Sequence, residues 1–288
     1  MSKKHITVAL AGNANVGKSV IFNHLTGLHQ HIGNWPGKTV ERAEGTLRFG
    51  EYTIDVIDLP GIYSLSTYSL EELISRQYIA LEKPDVIINI VDASLLERNL
   101  SFTIQLLELE APLIIALNQM DLAAKKGMKI DHKRLEDLLG VPVVPCVATR
   151  GVGLEDLIRK VIEIHEGKGS SLRNFPRFGF EVEERIGELT AAVERIETRY
   201  PPRWIAIKLL EHDREIEELV YSRQPNIKEK VDASARQIER IHSEPSSVVI
   251  SSERYSIANQ IARESSVVIS PVRITWDERL ASLTVHRV

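Results

Sequence analysis

The sequence predicts an α/β protein: a mixed six-stranded sheet, followed by an all-helical second domain. Three observations carry that prediction. Over residues 1–166, short apolar runs alternate with amphipathic helical stretches, the pattern of a largely parallel sheet with crossover helices. The first run, Ile6 to Ala11, leads straight into GNANVGKS (12–19) and then into a helical pattern, Val20 to Leu25. A glycine loop therefore sits between a strand and a helix. After Gly167 to Pro176, GKGSSLRNFP, the alternation stops and the spacing turns helical.

Strands are predicted at 6–11, 43–49, 52–58, 85–91, 113–118 and 142–146, each an apolar or alternating run bounded by turn residues. Helices are predicted near 18–26, 70–80, 95–109, 131–139 and 154–165. The turn at Phe49, Gly50 and Glu51 makes the second and third strands an antiparallel hairpin, and the intervening helices make the others parallel. The first domain is assigned to 1–166, a linker to 167–177 and a helical domain to 178–270. In the last, Val182, Ile186, Leu189, Val193 and Ile196 form one stripe that ends at Tyr200, Pro201 and Pro202. Further helices are predicted around 203–211, 213–221, 226–241 and 252–264. The hexapeptide SSVVIS occurs at 246–251 and again at 265–270, and reads either as short serine-bounded strands or as buried helix ends.

Composition narrows the function. With 288 residues, 43% hydrophobic and 26% charged, the chain is an ordinary globular protein. A net charge of −4 argues against general nucleic-acid binding. The single cysteine, Cys146, excludes an internal disulfide and reads as a buried thiol. No apolar run approaches the ~20 residues that cross a bilayer. The start, MSKKHITVALAG, mimics a secretory leader, but its apolar stretch is too short and already forms the first strand. A cytosolic location is expected.

Four segments at predicted strand ends carry chemistry. Gly12, Gly17, Lys18 and Ser19 fill the frame G-x-x-x-x-G-K-[ST]. Such a loop turns backbone N–H groups and a helix N-terminus toward phosphate. Asn13, Asn15, Val16 and Val20 complete the expected phosphate contacts; Lys18 is assigned to the β- and γ-phosphates, and Ser19 to magnesium. In DLPG, Asp58 would support magnesium, and Gly61 would offer its N–H to the γ-phosphate. In NQMD (Asn118, Gln119, Met120, Asp121), the Asp121 carboxylate suits the N1–H and N2–H₂ edge of guanine. Adenine would leave it unpaired, which favours GTP over ATP by orders of magnitude. In CVATRGVG (146–153), Val147, Ala148 and Thr149 flank the base, and the Ala148 N–H is assigned to the guanine O6. In this order the segments define a crevice at the carboxyl ends of an open α/β sheet, a P-loop small-GTPase-like fold with GTP or GDP and Mg²⁺ as ligands.

IGNWPGKTVE (32–41), with DLPGIYSL and N-x-M-D, resembles the cytosolic G domain of the ferrous iron transport protein B (FeoB) family. The resemblance spans 5–165 and extends into the helical segment. It implies a GTPase of slow turnover that gates or drives ferrous iron uptake by a membrane permease. It also implies a helical domain that slows nucleotide release. TWDERLASLTVHRV, in 271–288, resembles the amphipathic lead-in to that family's first membrane helix. Thr39 would ligate magnesium when GTP is bound and, with Lys18, Asn15 and Gly61, serve catalysis. Asn15, with backbone carbonyls near Gly33 and Trp35, would hold a potassium ion. Ile62 and Tyr63 follow DLPG where many GTPases place a water-orienting glutamine, and K⁺ would supply the missing charge. The other reading of Asn15 is a turn residue bonding its own backbone. Implied partners are the protein's own permease region, further copies of the chain and small cytosolic regulators; no nucleic acid is expected.

The chain departs from the family pattern at Ala14, Lys38 and Val147. Lys38 is either solvated or reaches a phosphate. Val147 removes a side-chain hydrogen bond from the guanine loop. His29 and His31 read as solvated loop residues rather than an iron site, and Trp35 as exposed in some nucleotide states or as a core aromatic. Arg42, Arg76 and Arg98 are open candidates to approach the phosphates. Two rival readings remain: a soluble regulatory GTPase acting on RNA or ribosomes, against which the charge argues, and a nucleotide sensor with negligible turnover.

Overall fold

The computed structural model describes residues 4–27, 30–66, 69–168 and 176–269. His29, most of the linker and the lead-in 271–288 lie outside the described residues. The first domain holds strands β1 (Lys4–Gly12), β2 (Gln30–Asn34), β3 (Glu41–Phe49), β4 (Tyr52–Asp58), β5 (Val86–Asp92), β6 (Leu113–Asn118), β7 (Met128–Ile130) and β8 (Val143–Pro145). Its helices are α1 (Lys18–Thr26), α2 (Leu70–Gln77), α3 (Leu96–Glu108), α4 (Met120–Lys125), α5 (His132–Leu139) and α6 (Leu154–His165). The second domain holds α7 (Phe180–Val193), α8 (Pro202–Leu210), α9 (Arg214–Arg223), α10 (Ile227–His242), α11 (Ser246–Ser265) and β9 (Ser266–Val268).

The main sheet has seven strands, in the order β2-β3-β4-β1-β5-β6-β8, not the six expected. The added strand is β2, QHIGN, a polar edge strand antiparallel to β3 with no apolar alternation to betray it. The hairpin β3–β4 is antiparallel, and β4, β1, β5, β6 and β8 run parallel. β5 (VIINIVD) and β6 (LIIALN) are buried along their whole length, as central parallel strands covered on both faces must be. One sheet face packs Ile6, Val8, Ile54, Ile88 and Ile114 against α1 and α6. The other packs Ala9, Ile57, Ile87, Val91 and Ile115 into a core that continues without a break to Trp204, Leu209 and Ile261 of the second domain.

The second domain is therefore not purely helical. β9 pairs antiparallel with β7, and Ile269 N donates to Gly127 O at 2.8 Å, clipping the end of α11 to the first domain. The two SSVVIS segments adopt different structures, one for each expected alternative. The first follows Pro245, where Val248 and Val249 N–H groups bond the Pro245 carbonyl, and becomes the opening of α11. The second follows the point where the Ser265 and Ser266 hydroxyls bond the Ile261 and Ala262 carbonyls, ends the helix and extends into β9.

Candidate nucleotide site

Each expected motif lies at the carboxyl end of a parallel strand, on both sides of β1, where the chain direction of the sheet's construction reverses. After β1, Gly12 passes so close to β5 that a Cβ there would lie 2.7 Å from the Ile90 carbonyl oxygen. Gly17, at φ 90°, would bring a Cβ to 2.4 Å from Asn118 Nδ2. Asn15 also has positive φ, 67°. Val16 is buried beneath the loop, whereas the side chains of Asn15 and Ser19 are exposed. The loop is thus closed from below and open above. α1 begins at Lys18 with no side-chain cap and no acid in its first turn, whereas α2, α5 and α9 are capped by Ser69, Asp131 and Asp213. Its first N–H groups remain available to an anion. Asn13 Oδ1 is buried and unpartnered among the described residues.

Asp58, ending β4, receives a hydrogen bond from Lys18 Nζ. Both side chains are nearly buried, 11% and 13% exposed. Burial raises the Asp58 carboxyl above its ordinary range, against the opposing pull of Lys18. The following segment folds back over the loop. Leu59 N donates to Leu10 O, Ile62 N donates to Gly12 O at 3.2 Å, and a Cβ on Gly61 would stand 3.4 Å from Ala14 Cα. Gln105 of α3 fixes the far end, its Oε1 accepting the Leu65 N–H at 2.8 Å and the Ser64 hydroxyl at 3.1 Å.

Asn118, ending β6, ties the crevice together. Its Nδ2 donates to Val16 O at 2.9 Å, and its Oδ1 accepts from Ala148 N at 2.9 Å. One buried amide thus joins the phosphate loop to the guanine loop. The Ala148 N–H, expected at the guanine O6, here donates to Asn118 Oδ1. Gln119, at φ 59°, donates its Nε2 to Asn15 O at 3.3 Å. Asp121 sits half-buried in the first turn of α4. Gly153 closes the loop: at φ 83°, its Cβ would fall 2.2 Å from Pro145 O. Val147 is half-buried and bridges Val152; Thr149 is exposed in the adjoining turn. Val20 lies half-buried in α1.

The remaining candidates are placed as follows. Thr39 is exposed in the bend before β3, and among the described residues no hydrogen bond joins it to Ser19 or Asp58. Gly33 pairs with Arg42 in the β2–β3 ladder. The Trp35 carbonyl accepts the Lys38 N–H at 2.9 Å, while its ring is buried, edge-on to Tyr78 at 5.4 Å and beneath the Arg42 guanidinium. Lys38 is half-buried, and no carboxylate among the described residues lies within ion-pair range of it. Arg98 stacks over Tyr63. Arg76 points away from the phosphates and is fully buried in ion pairs with Asp213 and Glu215. His31 is exposed on β2. Cys146 is buried, and that burial pushes its thiol up to about 12.

Three residues near this site were missed: Gln105, and the buried pair Glu108 and Arg254 that joins α3 to α11 at 2.9 Å. For Glu108 the signal was present as a charge inside an apolar helical run, LLELE. Such residues are almost never buried unless paired.

The sheet order, glycine loop and strand-end motifs define a P-loop GTPase-like fold followed by a helical domain. The family model described as ferrous iron transport protein B matches residues 6–161, and that described as the FeoB cytosolic helical domain matches 178–267. The chain belongs to the ferrous iron transport protein B family. It is 42% identical over 265 residues to the Fe(2+) transporter FeoB of Methanocaldococcus jannaschii, covering 91% of this chain and 39% of that protein. It is 39% identical to an Fe(2+) transport protein A/Fe(2+) transporter FeoB fusion protein of Porphyromonas gingivalis, covering 98% of this chain and 35% of that protein. The chain thus spans well under half the length of these relatives. Among solved structures, a GDP-bound variant of the S. thermophilus FeoB G-domain superposes with a TM-score of 0.85 at 34% identity, over 91% of this chain and 100% of that one. The cytosolic domain of T. maritima FeoB in its GMPPNP form gives 0.79 at 34%, over 91% and 99%. No helix among the described residues is long and apolar enough to cross a membrane.

Proposed function

We propose that this chain binds GTP and GDP and hydrolyses GTP, and that in the whole protein this cycle gates or drives ferrous iron uptake by a membrane permease region. One observation carries the nucleotide reading: the Asn118 amide bridges Val16 O and Ala148 N, so that the phosphate loop and the guanine loop form one crevice. The crevice suits the ligand chemically. Gly12 and Gly17 make a cradle that a side chain would fill, and buried Asn13 Oδ1 has no partner among the described residues. The first turn of α1 carries no acid. The Ser19 hydroxyl and the Asp58 carboxylate are the hard oxygen donors that magnesium prefers, with Thr39 assigned as a further one. Asn15 keeps an exposed side chain with no partner among the described residues, so its amide oxygen can take a potassium ion beside carbonyls near Gly33 and Trp35.

In this reading Lys18 leaves Asp58 to neutralise the β- and γ-phosphates, and the Gly61 N–H binds the γ-phosphate. Asp121 pairs with the guanine edge. Magnesium and potassium, when bound, neutralise charge as it develops on the phosphates. Neither Ile62 nor Tyr63 can act as a base, so in-line attack by water rests on positioning and charge stabilisation.

The test is GTP hydrolysis in potassium chloride against sodium chloride at equal ionic strength with magnesium, and GTP against ATP binding. Preference for GTP of at least a hundredfold, lost in Asp121→Ala, supports the nucleotide assignment. Potassium stimulation that disappears in Asn15→Ala supports the ion. Equal rates in both salts remove potassium, and equal affinity for ATP removes the guanine reading.

A further inference from the structure

A second cluster of ligating side chains lies in the helical domain, built from three separate helices. Glu181 stands in the first turn of α7, His242 is the last residue of α10, and Glu253 lies on α11. One imidazole nitrogen and one oxygen of each carboxylate lie within 4.8 Å of one another, and all three residues are half-buried.

The details fit a cation better than a simple ion pair. His242 Nε2 is a buried atom 3.1 Å from Glu181 Oε1, yet the two are not aligned for a hydrogen bond. Glu253 is anchored, since one of its oxygens accepts the Gly179 N–H at 2.6 Å. Gly179 permits that approach: a Cβ there would stand 3.1 Å from the other carboxylate oxygen. A ligand carboxylate held by a backbone donor is the usual means of fixing its orientation. No lysine or arginine among the described residues lies within ion-pair range of Glu181 or Glu253; Glu181 pairs with His242, and a Glu253 oxygen lies within 4.8 Å of both.

We propose that Glu181, His242 and Glu253 form a binding site for a first-row divalent transition-metal cation. Imidazole selects against magnesium and calcium, and one nitrogen with two carboxylate oxygens suits iron(II), cobalt(II) or zinc(II). Metal–ligand bonds of about 2.0–2.2 Å set ligand atoms about 3–3.5 Å apart, so the cluster needs to contract by about 1 Å. The half-exposed glutamates have the rotatable bonds to do so, and water completes the coordination. The bound ion would cross-link α7, α10 and α11, on a domain separate from the nucleotide crevice.

The probe is cobalt(II) chloride, titrated into the whole chain without nucleotide and in millimolar magnesium, which competes for the oxygen donors assigned at Ser19 and Asp58. One equivalent should bind, with visible d–d absorption and a rise in Tm of about 5 °C at saturating metal. His242→Gln and Glu181→Gln should each weaken binding at least tenfold and abolish the absorption, while His31→Gln changes neither. Far-UV circular dichroism and an unchanged metal-free Tm establish that the variants fold. Failure of the unaltered chain to bind at 1 mM cobalt(II), or equal binding by a Glu181→Gln, His242→Gln, Glu253→Gln triple variant, overturns the proposal.

Discussion

Replacing Asn118 with alanine tests the joint on which the crevice depends. Asn118 is 3% exposed, and its amide makes two hydrogen bonds, to Val16 O and from Ala148 N, both 2.9 Å. Truncation removes both partners at once and leaves a backbone carbonyl and a backbone N–H short of one bond each. A buried polar group left unsatisfied costs about 1–3 kcal/mol, so the expected loss of stability is about 2–5 kcal/mol. For a chain of this size that corresponds to about 5–15 °C in Tm. Asn118→Asp separates hydrogen bonding from packing. It is isosteric and keeps an acceptor for Ala148 N, but it opposes a carboxylate oxygen to the Val16 carbonyl at the former Nδ2 position. It should therefore destabilise by a similar amount despite leaving no cavity. The assay is urea unfolding without nucleotide, followed by far-UV circular dichroism. If both variants unfold within about 0.5 kcal/mol of the unaltered chain, Asn118 does not hold the two loops together and the argument for one preorganised crevice fails.

Arg254 lies between Glu108 and Glu211, and Arg254→Met should cost about 3–5 kcal/mol in urea unfolding because it strands buried Glu108. Burial would raise the Glu211 carboxyl, but Arg254 and Lys208 outweigh it and hold it at about 2. Because the folded value lies below the ordinary 4.5, the stabilisation is complete above about pH 4.5 and is lost as the pH falls toward 2; urea midpoints between pH 6 and 3 should fall, and fall less in Arg254→Met. Cys146, with its thiol pushed up to about 12, should resist a disulfide reagent at pH 8 in the native chain and react once in urea; rapid native reaction would contradict its burial.

The parallel strands were legible because burial on both faces writes near-continuous apolar runs such as VIINIVD and LIIALN, and the nucleotide motifs because each needs a fixed spacing at a strand end. What was not legible depends on partners distant in sequence. β2 is a strand because β3 offers it an edge, not because QHIGN alternates. SSVVIS becomes helix after Pro245 and strand beside Met128–Ile130, so local propensity alone does not choose between them. Arg76 shows the same limit from the side of function. It was one of three arginines open to the phosphates with nothing to single it out, and only the fold reveals Asp213 and Glu215 as its partners. The bond that the Ala148 N–H makes here was hidden for a related reason. Its nearest acceptor, Asn118 Oδ1, lies 30 residues away in sequence and 2.9 Å away in space.

The buried charges bear on how the two domains can move. α3 carries Gln105, which holds Leu65 and Ser64 just beyond the nucleotide crevice, and one turn further on Glu108, which holds Arg254 of α11. α2, which follows the same segment, carries Arg76 to the start of α9. The helical domain is thus bonded to the two helices that flank residues 61–66. Parting it from either helix would strand a fully buried arginine or glutamate, at about 3–5 kcal/mol for each ion pair broken. Sliding of α11 is further opposed by the β7–β9 ladder and by the apolar core that crosses the domain boundary. Between Tyr63–Ser66 and the helical domain, by contrast, lies a polar cleft of about 870 Å³ reaching His212, Ser247 and Ser251. A rearrangement of 61–66 has room in that cleft, but it must break the Gln105 hydrogen bonds and the bond from Ile62 N to Gly12 O, and displace the buried Ile62 and Leu65. Motion within the segment breaks no buried ion pair, whereas parting the helical domain from α2 or α3 does, so the helical domain, α2 and α3 are held as one body against it.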